Sequence, residues 1–303
     1  MQPALSPAAG RAEAIRFGEA AYQDARRQSR GATLLALLVL AACLLLSARL
    51  SEVYPTTLLA GLPRIGEYFQ RILPTLHWDS LLSGTRTEGS LAFWFYRLDA
   101  WAWLLFETAN MAVLATLMGA AAGLLLAFPA ARNLGARTLA YQVARRGMEA
   151  ARTVPEIVFA LILVWAFGVG ALAGILAIAL HTAGACGKLF AEAMENTEMG
   201  PWDGIRAAGG TWAQCCRYAT LPQALPNVIS YVLLRFEINL RSASDIGFVG
   251  AGGIGEELYK VIAFNYYEEL SAIILLVILA VAAIDLLSKT LRHRVIGALG
   301  ATA

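Results

Sequence analysis

Residues 157–187 read IVFALILVWAFGVGALAGILAIALHTAGACG, thirty-one residues without a charge, held between Glu156 and Lys188. A helix rises 1.5 Å per residue and crosses the roughly 30 Å hydrocarbon core of a bilayer in about 20 residues. The run is therefore too long for one upright span and too short for two. Gly168, Gly170 and Gly174 divide it. This predicts a hairpin in which span three starts near Ala150 and span four ends near Ala193, with Arg152, Pro155 and Glu156 inside or at the edge of the membrane. Composition agrees: 58% of the 303 residues are hydrophobic and 15% charged, against about 45 to 50% and about 25% in an average globular chain. Too few charges remain to cover a water-exposed surface. A net charge of +2 implies no nucleic-acid partner, so the position of the charges matters more than their sum.

Working outward, four more windows complete an all-α polytopic membrane protein with six transmembrane helices. Residues 1–30 carry five Arg and no apolar run, and read as a cytoplasmic arm rather than a cleaved signal. Span one is 31–48. Residues 49–101 mix five Arg, five acidic residues and three Pro, with turns read at Tyr54-Pro55, Gly61-Leu62-Pro63, Leu73-Pro74 and Ser83-Gly84 and aromatic clusters at Phe93-Trp94-Phe95-Tyr96 and Trp101-Ala102-Trp103, as an interfacial segment on the periplasmic side does. Span two is 108–131, span five 218–244 with Pro222 and Pro226 interrupting it, and span six 270–287. Basic residues crowd the arm, the stretch after span two (Arg132, Arg137, Arg145, Arg146, Arg152) and the tail (Lys289, Arg292, Arg294), whereas the 245–269 loop has five acids and one Lys. By the positive-inside rule both termini are cytoplasmic.

Between spans four and five the chain reads Asp203-Gly204-Ile205-Arg206-Ala207-Ala208-Gly209, and nine residues later Ala219-Thr220-Leu221-Pro222. A glycine between two short helices permits a bend no residue with a Cβ makes as cheaply. The order resembles the EAA loop of ABC importer permeases: acidic-Ala-Ala, three residues, Gly, nine residues, Ile-x-Leu-Pro. Asp203, Gly209, Leu221 and Pro222 match in register, while Gly204, Ile205 and Ala219 depart. Further stretches, Pro155 to Leu161, Ala171 to Ala177, Leu221 to Pro226, Arg235 to Arg241 and Val249 to Gly255, resemble the phosphonate or phosphite permeases of that family from Glu107 to the C-terminus. Asp245, where an uncharged residue is expected, departs from the pattern.

The resemblance implies a methionine-importer-like permease core over 102–303, in which the loop at about 196–222 is a coupling helix seated in a socket on an ATP-binding subunit. It implies import of phosphonates or related phosphorus oxyanions across the inner membrane. The implied partners are a second copy of the chain, two ATP-binding cassette subunits, a periplasmic phosphonate-binding protein and membrane lipid. ATP and Mg would be bound by the partner ATPase and no cofactor by this chain. The coupling residues would be Asp203, Gly204, Ile205, Gly209, Leu221 and Pro222. A methionine or other small-anion importer, an ion-driven secondary transporter and an intramembrane enzyme are the rival classes, the last without a nucleophile and base at any recognisable spacing.

Span five carries Arg235, Glu237 and Arg241, each costing about 2.5 to 3.5 kcal/mol at a helix centre unless it faces protein or water. Glu237 and Arg241 stand four apart with the acid first, the favourable order for a helical ion pair. Arg235 has no local partner; it meets Glu107 or Glu156 across the bundle, or its guanidinium fork lines the path of an anion. Glu156, Glu107, Asn239, Gly252 and Gly253 complete the candidates for path or gate. Gly250-Ala251-Gly252-Gly253-Ile254-Gly255 fits G-x-G-x-x-G but follows a membrane helix rather than a strand, which argues against a dinucleotide site. A tight extracytoplasmic turn, a re-entrant gate and a flexible loop remain its readings. No GxxxxGK[ST] occurs, His77, His181 and His293 are scattered, and Cys43, Cys186, Cys215 and Cys216 read as small buried hydrophobes rather than ligands or a bridge.

Overall fold

The computed structural model describes residues 7–135 and 137–300. The first six residues of the expected arm and residues 301–303 lie outside the described residues. Among the described residues every regular element is helical. The chain divides into a unit ending at Gln70 and a unit beginning at Arg71.

In the first unit, α1 runs from Pro7 to Leu50 without a break between the expected arm and span one, and its apolar window is Ser29–Leu50. α2 covers Pro55–Ile72, where the prolines and glycines predicted turns. Pro55 opens the helix, where a missing N–H costs nothing, but Pro63 lies inside it. Leu58, Leu62, Ile65 and Phe69 fall on one stripe at helical spacing, so the period of 3.6 prevails over the turn residues.

The second unit is built on α4 (Leu98–Ala130), ten residues longer at its start than span two was read to be, and α7 (Ala171–Glu195). Small residues let these two helices touch backbone to backbone. A Cβ placed on Gly123 would lie 2.8 Å from the Gly187 nitrogen and 2.9 Å from the Ala183 carbonyl oxygen. Such small-residue faces are how helices pack where lipid removes the hydrophobic drive to associate.

Span three is not a straight helix from Ala150. α5 runs Thr138–Thr153, α6 runs Glu156–Phe167, and the two meet at 89°. Pro155 offers no N–H to continue α5 and drives Val154 to an extended conformation (φ −75°, ψ 126°). The twelve residues of α6 rise about 18 Å, short of a full crossing.

A short α3 (Leu91–Trp94) precedes α4, and α8 (Gly200–Ala207) and α9 (Trp212–Cys215) follow α7. α10 (Leu221–Ile246) is one unbroken helix: Pro222 sits in its first turn and Pro226 is absorbed close to its start, so neither interrupts it. The expected 245–269 loop is largely ordered as a 3₁₀ turn, a glycine turn and α11 (Ile254–Ala263), before α12 (Tyr267–Gly300).

Four helices among the described residues are long and apolar enough to cross a bilayer: Ser29–Leu50, Leu98–Ala130, Ala171–Glu195 and Tyr267–Arg292. The bent α5–α6 pair is a fifth candidate. α10 falls short because its Arg, Glu, Gln and Asn side chains lower its hydropathy. Six uniform spans are therefore not what the fold displays.

Candidate functional site: the elbow and the polar core

The elbow grows from local signals. α8 ends at Ala207, and Gly209 takes φ +85°, a left-handed value in which a Cβ is strained. Thr211 then caps α9 through a capping box with Gln214. A π-turn over Cys216–Thr220 leads into α10. Asp203, Gly204 and Gly209 are exposed and Ile205 is half-buried, Leu221 is half-buried and Pro222 exposed. An open hollow of about 400 Å³ lies between the two arms, lined by Ile205, Gly209, Gln214 and Tyr218 among others.

Beneath it the elbow is fastened to several membrane helices. Trp202 is buried, and the Trp212 indole donates to the Leu134 carbonyl at 2.8 Å, just past the end of α4. Glu195, the last residue of α7, accepts from the Arg132 backbone N–H at 2.9 Å and pairs with Arg145 of α5 at 2.5 Å. The Gln223 amide of α10 exchanges hydrogen bonds with the Glu198 backbone. Burial pushes the Cys216 thiol up to about 12, and all four cysteines are free. Three of them are buried; Cys43 is exposed.

Within the bundle a polar chain touches five helices. Arg235 of α10 donates to Glu156 at the start of α6 at 2.6 Å and lies 2.5 Å from Nδ1 of His181 on α7. His181 also approaches Glu156 at 2.7 Å and the Arg152 carbonyl at the end of α5 at 3.2 Å. One ring thus touches both sides of the α5–α6 break. Asn239 donates to Thr182 of α7 at 2.9 Å and Thr116 of α4 at 2.8 Å, and all three are 2% exposed or less.

Two ion pairs join α10 to α12: Glu237 with Arg292 at 2.9 Å and Arg241 with Asp285 at 3.3 Å. The expected pairing of Glu237 with Arg241 inside α10 is not formed, because α12 presents a closer opposite charge to each. Arg235 takes the cross-bundle partner Glu156 rather than Glu107. Glu107 is half-buried on α4 and has no basic partner among the described residues.

The glycine turn at the far end of α10 is packed, not a loose loop. Gly250, Gly252 and Gly253 have φ of +81°, +86° and +73°. The Gly170 N–H donates to the Gly250 carbonyl at 2.9 Å, and a Cβ on Gly252 would lie 2.9 Å from the Ala171 nitrogen. The Ile254 N–H donates to Thr108 at 2.8 Å. The turn is therefore wedged between the α6–α7 corner and α4, and no strand precedes it among the described residues.

The family model described as binding-protein-dependent transport system inner membrane component matches residues 100–297. The chain belongs to this family. The permease is 38% identical over 237 residues to the phosphite transport system permease protein PtxC of Stutzerimonas stutzeri, covering 78% of this chain and 80% of that protein. It is 35% identical over 249 residues to the phosphate-import permease protein PhnE of Mycolicibacterium smegmatis, covering 82% of this chain and 43% of that one. With the putative cryptic phosphonate transport system permease protein PhnE2 of Escherichia coli (strain K12) it shares 45% identity over 121 residues, 40% of this chain and 99% of that one. Among solved structures, the inward-facing MetNI methionine ABC transporter matches with TM-score 0.55 at 22% identity, over 64% of this permease and 96% of the other chain. That likeness shows the all-α permease fold.

Sequence reasoning found the elbow and the charges of α10 but missed their anchors: Glu195, Arg145, Trp212, Gln223, His181, Asp285 and Arg292. Each lies on a different element from its partner, and a single sequence carries no signal joining them.

Proposed function

We propose that this chain is the membrane-spanning permease of an ATP-driven importer of phosphonates, phosphite or related phosphorus oxyanions. The observation that carries this reading is the exposed elbow at Gly209, held by hydrogen bonds to the ends of the helices that form the membrane core. A separate ATPase that binds ATP and Mg grips the elbow through Asp203, Gly204, Ile205 and Gly209. Its closure displaces the α8–α9 arms, and because Trp212, Gln223 and Glu195 tie that region to α4, α5, α7 and α10, the movement passes into the bundle as a body. The break at Val154-Pro155 is where α6 can turn relative to α5. The substrate class comes from the phosphite, phosphate and phosphonate relatives.

α10 bears an outward stripe, Leu234, Ile238, Arg241 and Asp245, continued by Phe248 in the turn just past its end, all exposed. Arg241 and Asp245 would each cost about 2.5 to 3.5 kcal/mol facing lipid, so this stripe faces a second copy across a polar passage. Arg241, with 55% of its side chain open, is then the path-lining cation, and Gly252 and Gly253 shape the turn that closes the passage at its outer end. Glu237 and Asn239 hold α10 from within, as Arg235 and Glu156 do. Both termini lie in the cytoplasm, with α10 and the bent α5–α6 pair completing six crossings. A reporter fused after Arg294 then reads cytoplasmic and one inserted near Gly84 periplasmic.

The deciding experiment is uptake by the reconstituted complex with its ATPase and binding protein, offered phosphonate, phosphite, phosphate and methionine in turn. ATP-dependent uptake of a phosphorus oxyanion is expected. Preference for methionine, or uptake driven by an ion gradient without ATP, would refute the reading.

A further inference from the structure

At the end of α4 remote from the elbow, the chain preceding Leu98 folds over the first turn of α12 and encloses a cleft of about 420 Å³. Five aromatic rings line it, Trp94 and Tyr96 among them, together with Glu268 and Glu269. The cleft is built, not incidental. The Trp94 indole donates to the Glu268 carbonyl at 3.1 Å and to the Ser271 hydroxyl at 3.0 Å. The Tyr96 hydroxyl donates to the Glu269 carboxylate at 2.6 Å, and burial followed by this bond raises the phenol above its ordinary range, so it stays a donor. A second hollow of about 200 Å³ continues past Glu268 to Glu88.

Among the described residues, no lysine or arginine lines either hollow. Two cations neighbour the lining in sequence: Arg97 is committed to Glu257 at 2.8 Å, and Arg86, beside Thr85, is exposed and lines neither hollow. Glu268 is exposed and forms no ion pair among the described residues. Aromatic faces attract an ammonium or a guanidinium through the ring quadrupole, and unpaired carboxylates attract either through charge. The same carboxylates repel a phosphorus oxyanion, so the cleft does not hold the cargo.

We propose that this cleft seats a lysine or arginine side chain of the binding protein that delivers cargo to the permease. The inference rests on the import reading above, which places this end of the bundle outside the cytoplasm, where a binding protein arrives. Charge complementarity selects the occupant: a protruding basic side chain finds rings for its stem and Glu268 for its head, and the volume also admits part of the loop that carries it. Interfaces concentrate their affinity in such aromatic-walled anchor pockets, and an exposed carboxylate at the rim speeds encounter with an opposite charge.

The test is ATP hydrolysis by the assembled complex in nanodiscs, titrated with cargo-loaded binding protein. Glu268→Gln removes the charge, and Thr85→Lys, a change at an exposed lining position, puts a competing cation into the cleft without deleting a contact. Both are expected to raise the half-saturating concentration of binding protein by about tenfold and to weaken its dependence on ionic strength, with unchanged melting temperature and with the rate recovered at saturating binding protein. Half-saturation equal to wild type in both variants overturns the proposal, as does a lowered maximal rate at unchanged half-saturation. A wild-type complex that the binding protein does not stimulate at all would instead remove the import reading, and the proposal with it.

Discussion

Replacing Arg235 by Gln separates two roles for the charge at the centre of α10. Its guanidinium is 2.6 Å from Glu156, and the two side chains are only 11% and 12% exposed. Removing one partner of a buried pair leaves the other uncompensated at a cost of about 3 to 5 kcal/mol. His181 still lies 2.7 Å from Glu156 and leaves that carboxylate one hydrogen-bond partner. At roughly 2 to 4 °C per kcal/mol for a unit of this size, the melting temperature in detergent should fall by about 6 to 20 °C. Glu156→Gln should fall comparably, because it strands Arg235. The double variant should recover most of the loss, since two neutral amides can hydrogen-bond where two charges did. The assay is thermal unfolding of the purified permease alongside uptake at matched expression. If Arg235→Gln melts like wild type yet transports nothing, the pair is not structural and Arg235 serves the anion. If the double variant is no better than the singles, the two residues are not coupled and the geometry has been misread.

Three further outcomes follow from the same geometry. Gly123→Ala sets a methyl against the α7 backbone, which cannot yield as a side chain can, and should destabilise by about 1 to 3 kcal/mol, read as a lower melting temperature; a neutral result would mean that α4 and α7 are not in backbone contact. Gly209→Trp, and Asp203→Lys with it, should leave the permease folded while substrate-stimulated hydrolysis and uptake fall together; full uptake in either would make the elbow a mere surface connection. Cys216, with its thiol near 12, should be about one ten-thousandth thiolate at pH 8, against about a quarter for an unperturbed thiol, so site-resolved alkylation should label it only after denaturation. The folded state keeps this proton while the unfolded state releases it near pH 8.5, so the contribution to stability is intact below that pH and is lost as pH rises toward 12.

What the sequence made legible was local. The uncharged run over 157–187, the hydropathy of 108–131 and the register of Asp203, Gly209 and Pro222 each lie within a few consecutive elements: α6 with α7, α4, and the run from α8 to the start of α10. The α2 helix was hidden because Gly61 and Pro63 speak as turn residues at short range, while the Leu58-Leu62-Ile65-Phe69 stripe speaks only over about three turns. The right-angle break at Pro155 was signalled by the proline, but hydropathy cannot report direction. The charges of α10 were legible as a cost and not as a solution, because each solution lies on another helix: Glu156 is 79 residues from Arg235, and Arg292 is 55 from Glu237. An i,i+4 rule proposes the partner within the helix, yet a cross-helix partner neutralises the same charge while also fixing where the helix stands, and the packed bundle selects the arrangement that does both. Arg235 and Glu237 are thereby spent on holding α10 between α6 and α12. Asp245 and the open half of Arg241, whose guanidinium also reaches Asp285 of α12, are the charge left on the outward face of α10, and it is on that face that the proposed second copy and polar passage can be tested.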